Sequence, residues 1–214
     1  MPRRYTTLAA EIGAKVDRMP VAEGGAFRAG WLLVSFDCSV QQAQMDKAQA
    51  EQAGAERTLA SNLELEKLNS VGQLELDLAR TAVQRARAEV ALHNAQLAKC
   101  SIHAPFTGRV AEQKAREKQY VQPGQPLFDI IEDGVLELEF LVPSRWLTWL
   151  KVGGQFSVAI DETGRSYPAR FTRVGARVDP VSQSIKVTAA INGRFPELIA
   201  GMSGRVDISV PAAR

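Results

Sequence analysis

The sequence has few of the residues on which catalysis and metal binding usually depend. Its 214 residues include only two histidines and two cysteines. It contains no phosphate-cradling glycine loop, no nucleophile elbow and no pair of carboxylates flanked by apolar sequence. We therefore predict that the protein is not an enzyme, and we expect no catalytic residue, cofactor or metal.

The sequence also lacks charge of one sign and long apolar runs. The formal net charge is only +2, and the Lys and Arg residues are scattered, so nucleic acid is not an expected partner. No apolar run reaches the roughly 18 residues that a membrane-spanning helix needs. The first residues have no hydrophobic core of a signal peptide, so the chain as given carries no export signal.

The most informative stretch is 37–104, which predicts two long helices that fold back on each other. In the second arm the apolar positions repeat every 3.5 residues, as in the seam of a coiled coil. That seam contains Gly72, Leu76, Ala79, Val83, Ala86, Val90, His93, Leu97 and Cys100. The first arm has a weaker seam, which starts at Cys38 and is expected to lose phase after Leu59 and continue on Leu63, Leu65 and Leu68.

The pattern breaks at 68–72, which places the tip of the hairpin near Ser70. Ser70 and Gln73 have the spacing of a capping box for the second helix. Arms of roughly 28 residues would form a rod about 40 Å long. The apolar residues near the tip, Leu65, Leu68, Val71 and Leu74, form either a surface for a partner or the closure of the hairpin itself. The predicted partner-binding residues are Leu65, Leu68, Asn69, Ser70, Val71, Gly72 and Gln73.

The segments on either side of the hairpin alternate short apolar runs with glycine turns, which predicts short strands. Residues 23–33 and 118–128 look like one element used twice. From 135 onward the apolar period becomes two, and strands are expected at 136–142, 155–160, 167–174, 185–191 and 205–210. Evenly spaced short strands favour a small antiparallel barrel. A short helix at 145–150, capped by Ser144, would place Trp146 and Trp149 at one end of that barrel.

Residues 102–110, Ile-His-Ala-Pro-Phe-Thr-Gly-Arg-Val, resemble the second-half signature of the periplasmic adaptors, also called membrane fusion or HlyD-type proteins. Residues 121–127 and 201–204 resemble later landmarks of that family in the same order. The resemblance implies an α+β, mainly β fold in which an antiparallel α-helical hairpin is inserted into a split lipoyl/biotinyl-like β-domain. The implied domains are the β-domain (8–37 and 101–133), the hairpin (38–100) and a small antiparallel β-barrel (134–214).

The same resemblance implies a function in assembly without catalysis. An adaptor links an inner-membrane transporter, here expected to be RND-type, to an outer-membrane channel in efflux or secretion. It associates with itself in a ring and lies in the periplasm at the inner membrane. The family's tip motif has an arginine, a leucine and a serine, where this chain has Ser61, Leu65 and Gly72. Residues 2–7 look too short for the strand that the family sends from the N-terminus into the barrel.

The two cysteines flank the hairpin, with Cys38 at the start of the first arm and Cys100 at the end of the second. An antiparallel hairpin would bring them level, so we hypothesise a disulfide at the base of the rod. Closing a loop of about 60 residues would stabilise the fold by roughly 4 kcal/mol, and the bond would indicate an oxidising compartment. Free thiols, or a zinc site with His93 and His103, are the alternatives.

Two other functions stay open at this point. A lipoyl or biotinyl carrier would hold its cofactor on a lysine in the turn between the two β-halves, but here Asp37 is followed by Cys38. A coiled-coil scaffold would self-associate through the rod without any transporter.

Overall fold

The structure, a computed structural model, describes residues 1–208 apart from Arg3, Asp133, Val135 and Arg194. No helix in this part of the chain is long and apolar enough to cross a membrane. The strands and helices in chain order are β1 (Tyr5–Ala9), β2 (Ala14–Arg18), β3 (Ala26–Phe27), β4 (Leu32–Phe36), α1 (Ser39–Lys67), α2 (Gln73–Ala98), β5 (Ser101–His103), β6 (Gly108–Gln113), β7 (Tyr120–Val121), β8 (Pro126–Glu132), β9 (Glu137–Pro143), β10 (Gln155–Ile160), β11 (Arg165–Asp179), β12 (Ser184–Ile191) and β13 (Gly204–Asp207).

The strands on the two sides of the hairpin form one β-domain. It consists of two four-stranded sheets, in the orders β1-β8-β6-β3 and β5-β4-β2-β7, and each sheet contains strands from both sides. Strand β4 pairs with β5 across the insertion, with Val34 opposite Ile102. Residues from both halves also share one buried core, in which Leu33 lies with Phe128. The predicted split β-domain with an inserted hairpin is confirmed.

Gly108 explains part of the 102–110 signature. It begins β6 opposite Glu132 of β8, and a Cβ atom at this position would collide with the backbone carbonyl of Ile131. Only glycine allows the two strands to approach so closely at this end of the sheet.

Strands β9 to β13 form one five-stranded antiparallel sheet in the order β13-β10-β11-β12-β9. Among the described residues, the outer strands β9 and β13 do not pair with each other, so the expected barrel is an open half-barrel. Strand β10 has the predicted bounds. Strand β11 runs further than predicted in both directions, and residues 209–210 of the last predicted strand lie outside the described residues.

The short helix after β9 is a 3₁₀-helix, Ser144–Thr148, whose N-cap is Pro143 with no capping side chain. The predicted cap at Ser144 is therefore wrong, because the helix begins one residue earlier than expected. Trp146 and Trp149 are half-buried against the core of the half-barrel, and their ring centroids lie 5.2 Å apart.

The N-terminal segment joins the first sheet. Strand β1 begins at Tyr5, before the predicted domain start at residue 8, and pairs with β8. Its contact with the half-barrel is an isolated bridge between Pro2 and Leu136, beside which the backbone N–H of Glu137 donates to the carbonyl of Met1 at 2.8 Å. The sequence does not reveal the strand, because its partner lies more than a hundred residues further along the chain.

Candidate functional site

The hairpin is held together by a narrow seam between its helices. In α2 the buried residues Leu76, Ala79 and Val83 all belong to the predicted seam. In α1 the buried residues are Met45, Ala48 and Asn62. Ala48 follows Met45 by three residues and Asn62 follows Ala48 by two heptads, so the seam keeps one phase along α1.

The prediction that α1 loses phase after Leu59 is therefore wrong. Asn62 is only 8% exposed, whereas Leu65 and Leu68 are 42% and 71% exposed. Counted on from Asn62, the next seam positions are 66 and 69, so Leu65 and Leu68 lie off the seam. Position in the heptad decides burial here, and hydrophobicity does not.

At the base of the hairpin, Cys38 and Cys100 form a disulfide, with their Cα atoms 6.1 Å apart. The backbone N–H of Phe36 also donates to the carbonyl of Cys100 at 2.9 Å, which continues the β4–β5 pairing to the root of the rod. Because the two sulfur atoms are bonded to each other, they are not available as thiolate ligands for zinc. The His93 ring lies 3.1 Å from the side-chain oxygen of Gln96.

An ion pair connects the two helices about halfway along the rod. The guanidinium of Arg87 donates to Glu56 Oε1 at 2.9 Å, and Gln52 donates to the same oxygen at 3.0 Å. The hydrogen bond from Gln52, followed by that from Arg87, lowers the pKa of Glu56. Such a pair between exposed side chains favours one alignment of the helices more than it adds stability.

The tip is closed by a left-handed turn at the end of α1. Asn69 has a φ of 53°, and the N–H groups of Asn69 and Ser70 donate to the carbonyls of Glu66 and Leu65, both at 2.9 Å. This is the hydrogen-bond pattern of a Schellman motif, in which asparagine is the usual substitute for glycine.

The predicted capping box at the tip is wrong. The N-cap of α2 is Gly72, with no side-chain hydrogen bond, and Ser70 Oγ donates instead to the carbonyl of Leu68 at 3.2 Å. The backbone N–H of Ser70 is part of the Schellman motif that ends α1. Ser70 therefore lies two residues before the N-cap of α2.

The tip presents an apolar surface. Of the seven predicted partner-binding residues, all are exposed except Val71, which is half-buried. Leu74, one of the apolar residues that the sequence places at the tip, is 74% exposed, and Leu78, which the sequence interpretation did not assign to this site, is 62% exposed. Their spacing of four residues, off the seam, was the available signal. We call Leu65, Leu68, Leu74 and Leu78 the tip leucines.

Two ion pairs near the tip leucines each form within a single helix. Lys67 Nζ lies 2.7 Å from Glu64 Oε1, and Arg80 Nη1 lies 3.1 Å from Asp77 Oδ1. These exposed pairs contribute little to stability. The exposed tip leucines form an apolar surface of the kind that marks interaction sites.

No known protein-family profile matches the chain. A curated relative from Haemophilus influenzae, described as an uncharacterized protein, is 25% identical over 215 residues. The match covers 98% of this chain and 56% of the relative, so the chain spans about half the length of that relative.

Several solved structures share the fold. A putative efflux transporter from Bacteroides eggerthii superposes with a TM-score of 0.70 at 22% identity, over 88% of this chain and 58% of that one. A membrane fusion protein from Streptococcus pneumoniae R6 gives a TM-score of 0.80 at 20% identity, over 98% and 96% of the two chains. The chimera of MacA with the Pseudomonas aeruginosa MexA α-hairpin domain gives 0.83 at 18% identity, over 97% and 79%. The chain therefore has the fold of the membrane fusion proteins, the periplasmic adaptors.

Proposed function

We propose that this protein is a periplasmic adaptor that links an inner-membrane transporter to an outer-membrane channel in efflux or secretion. It works by assembly and carries out no reaction. The observation that carries the proposal is the pairing of β4 with β5, which turns the inserted hairpin into a rod fixed at its root. A rod with a rigid base can transmit position between two partners, which a flexible linker cannot do.

The hairpin tip is the proposed contact with the channel. The tip leucines and the loop 68–73 form an exposed apolar end of the rod. Apolar side chains in the centre of an interface provide most of its binding energy. The half-barrel faces the transporter, RND-type in this proposal, and copies of the β-domain associate in a ring.

The disulfide supports the proposed location. A bond between Cys38 and Cys100 persists in an oxidising compartment such as the periplasm and is rarely stable in the cytosol. Cys38 directly precedes α1 and Cys100 directly precedes β5, so the bond joins the two ends of the rod where they meet the β-domain.

The proposal is tested by co-purification from detergent-solubilised membranes after cross-linking, with the bound proteins identified by mass spectrometry. We expect the wild-type protein to retain both a transporter and a channel. Leu68→Asp and Leu74→Asp should lose the channel and keep the transporter, because a charge at the tip disrupts an apolar contact.

The matched control is Leu92→Asp, which changes a 51% exposed leucine of α2 away from the tip and should retain both partners. Self-association without a transporter would favour the scaffold function instead. A covalently modified lysine in the intact mass would favour the carrier function. Equal channel recovery from tip and control variants would refute the assignment of the tip.

A further inference from the structure

One end of the half-barrel lies away from the β-domain. Strand β9 begins near that domain, because Leu136 just before it lines a cleft with the last residues of β8. It ends at Pro143, which is roughly 20 Å further on at the usual rise of a strand. The connection from β9 to β10 and the turn from β11 to β12 share this far end, because neighbouring strands are antiparallel and Ser184 pairs with Pro143. We call residues 141–154 and 176–186 the distal end.

The distal end exposes apolar side chains that the core of the half-barrel leaves uncovered. Val181 is 92% exposed in the β11–β12 turn, Leu141 is 68% exposed near the end of β9, and Leu147 is 43% exposed on the 3₁₀-helix. The turn lies beside that helix, since the backbone N–H of Ser144 donates to the carbonyl of Gln183 at 2.8 Å. Single exposed apolar residues are ordinary on a protein surface, but three at one end of one sheet are typical of an interaction surface.

The turn that carries Val181 is held in one conformation. Asp179 Oδ1 accepts hydrogen bonds from the backbone N–H groups of Val181 at 3.0 Å and Ser182 at 2.8 Å, and from Ser182 Oγ at 3.1 Å. These bonds order the turn without covering the valine. Val181 can therefore enter apolar surroundings at little further cost in conformational entropy.

Positive charge is concentrated at the distal end. Its cations are Arg145, Lys151, Arg177 and Lys186. Asp179 is its one carboxylate. Lys186 Nζ lies 2.5 Å from Glu139, whereas the other three cations form no ion pair within the described part of the chain. The connections at the opposite end of the sheet, 161–164 and 192–203, contain three carboxylates and one arginine in the sequence.

Two half-buried tryptophans belong to the same end. Trp146 lies on the 3₁₀-helix and Trp149 directly after it, with their ring centroids 5.2 Å apart. Tryptophan is enriched at the boundary between lipid and water, and lysine and arginine are attracted to anionic headgroups. An acidic protein would need carboxylates placed to match each cation, whereas an anionic lipid surface offers negative charge in every direction. The combination therefore favours lipid.

We propose that the distal end of the half-barrel binds an anionic phospholipid surface. Val181 and Leu147 enter the boundary between headgroups and acyl chains, and Arg145, Lys151 and Arg177 lie at the level of the phosphates. Removal of the aliphatic side chains from water and attraction of the cations act together. This contact goes beyond the proposed function, because neither a transporter nor a channel takes part in it.

The test is flotation of the full chain with phospholipid vesicles on a density gradient. Vesicles of phosphatidylglycerol and phosphatidylcholine in equal parts are compared with vesicles of phosphatidylcholine alone. We expect at least about tenfold stronger binding to the anionic vesicles, because each cation contributes to the attraction, and weaker binding as salt is added. No binding, or equal binding to both kinds of vesicle, would overturn the proposal. Such a failure would leave co-purification of the transporter and the channel unaffected.

Two pairs of variants locate the contact. Val181→Asp should weaken binding about tenfold, and Ile199→Asp, at a 65% exposed position near the opposite end, should not. Arg177→Gln removes one cation and should weaken binding about fivefold, whereas Arg165→Gln, at the other end of β11, should leave it unchanged. All four side chains are exposed, so the variants should fold. An equal effect of the two members of either pair would count against the distal end.

Tryptophan fluorescence shows which part of the chain touches the lipid. The chain has three tryptophans, so in Trp31→Phe only Trp146 and Trp149 emit. We expect anionic vesicles with brominated acyl chains to quench this emission. Binding without quenching would place the contact elsewhere and overturn the proposal. If the wild type ignored vesicles but Val181→Asp lost a co-purified transporter, the distal end would bind a protein instead of lipid.

Discussion

The ammonium of Lys114 lies 2.7 Å from Asp129 Oδ2 inside the first β-domain, where the Asp129 side chain is only 6% exposed. The same carboxylate accepts hydrogen bonds from Tyr5 Oη at 2.7 Å and from Thr7 Oγ1 at 2.6 Å. Both of these donors lie on β1. The buried carboxylate thus fastens the N-terminal strand to β8, the strand that leads toward the half-barrel.

Replacing Asp129 should destabilise the protein. Asp129→Ala removes the hydrogen bonds that the exposed residues Tyr5, Thr7 and Lys114 donate to a buried carboxylate, and at about 1 kcal/mol for each bond this lowers the free energy of unfolding by about 1–3 kcal/mol. Urea denaturation measures the loss. The matched control is Glu112→Ala, whose 60% exposed carboxylate lies 3.6 Å from the same Lys114 ammonium and should cause a much smaller loss. Equal losses would show that burial of Asp129 is not the source of its effect.

The same carboxylate predicts a pH dependence of stability. Hydrogen bonds from Lys114 and then Thr7 lower the pKa of Asp129 from 3.8 to about 2. Since the unfolded chain binds this proton first as the pH falls, the contribution of Asp129 is fully present above pH 3.8 and is lost toward pH 2. We expect the gap in unfolding free energy between wild type and Asp129→Ala to stay constant from pH 7 to 5. It should then narrow between pH 4 and 2, and a gap independent of pH would contradict the assignment.

The disulfide should determine how strongly the hairpin resists unfolding. Cys38 and Cys100 are 62 residues apart in sequence, so their bond stabilises the fold by about 4 kcal/mol in the chain-entropy model. Circular dichroism of the helices should show a lower Tm in dithiothreitol. The double variant Cys38→Ser/Cys100→Ser should have that lower Tm with or without the reductant. If the Tm of the wild type were the same with and without dithiothreitol, the disulfide would contribute nothing to stability.

Asn62 should weaken the hairpin seam while keeping its alignment. A buried amide at a seam position specifies register at a cost in stability, so Asn62→Leu should raise the stability of the hairpin by on the order of 1 kcal/mol. Thermal unfolding followed at the helical signal measures this change. Asn94→Leu replaces an exposed asparagine of α2 and serves as the control. The same gain from both variants would indicate a general effect of leucine on the helix and not one of the seam.

Some elements were predictable because their pattern is local. The heptad spacing of Leu76, Ala79 and Val83 predicts both α2 and its buried face, since a two-helix rod buries little except its seam. The period of two in β10 predicts that strand to the residue. Local pattern was less informative at the tip. Ser70 and Gln73 have the spacing of a capping box, but Ser70 is part of the Schellman motif that ends α1, and Gly72 is the N-cap of α2.

The sequence by itself determined the long helices and the short strands, because each depends on periodicity or on turn residues close together in the chain. That the hairpin interrupts one β-domain was what the resemblance of residues 102–110 implied. Only the tertiary structure decided that β1 joins the first sheet and that Asp129 is buried beside Lys114. Tyr5 and Asp129 are separated by 124 residues, and contacts over such distances depend on how the sheets pack and not on any local pattern.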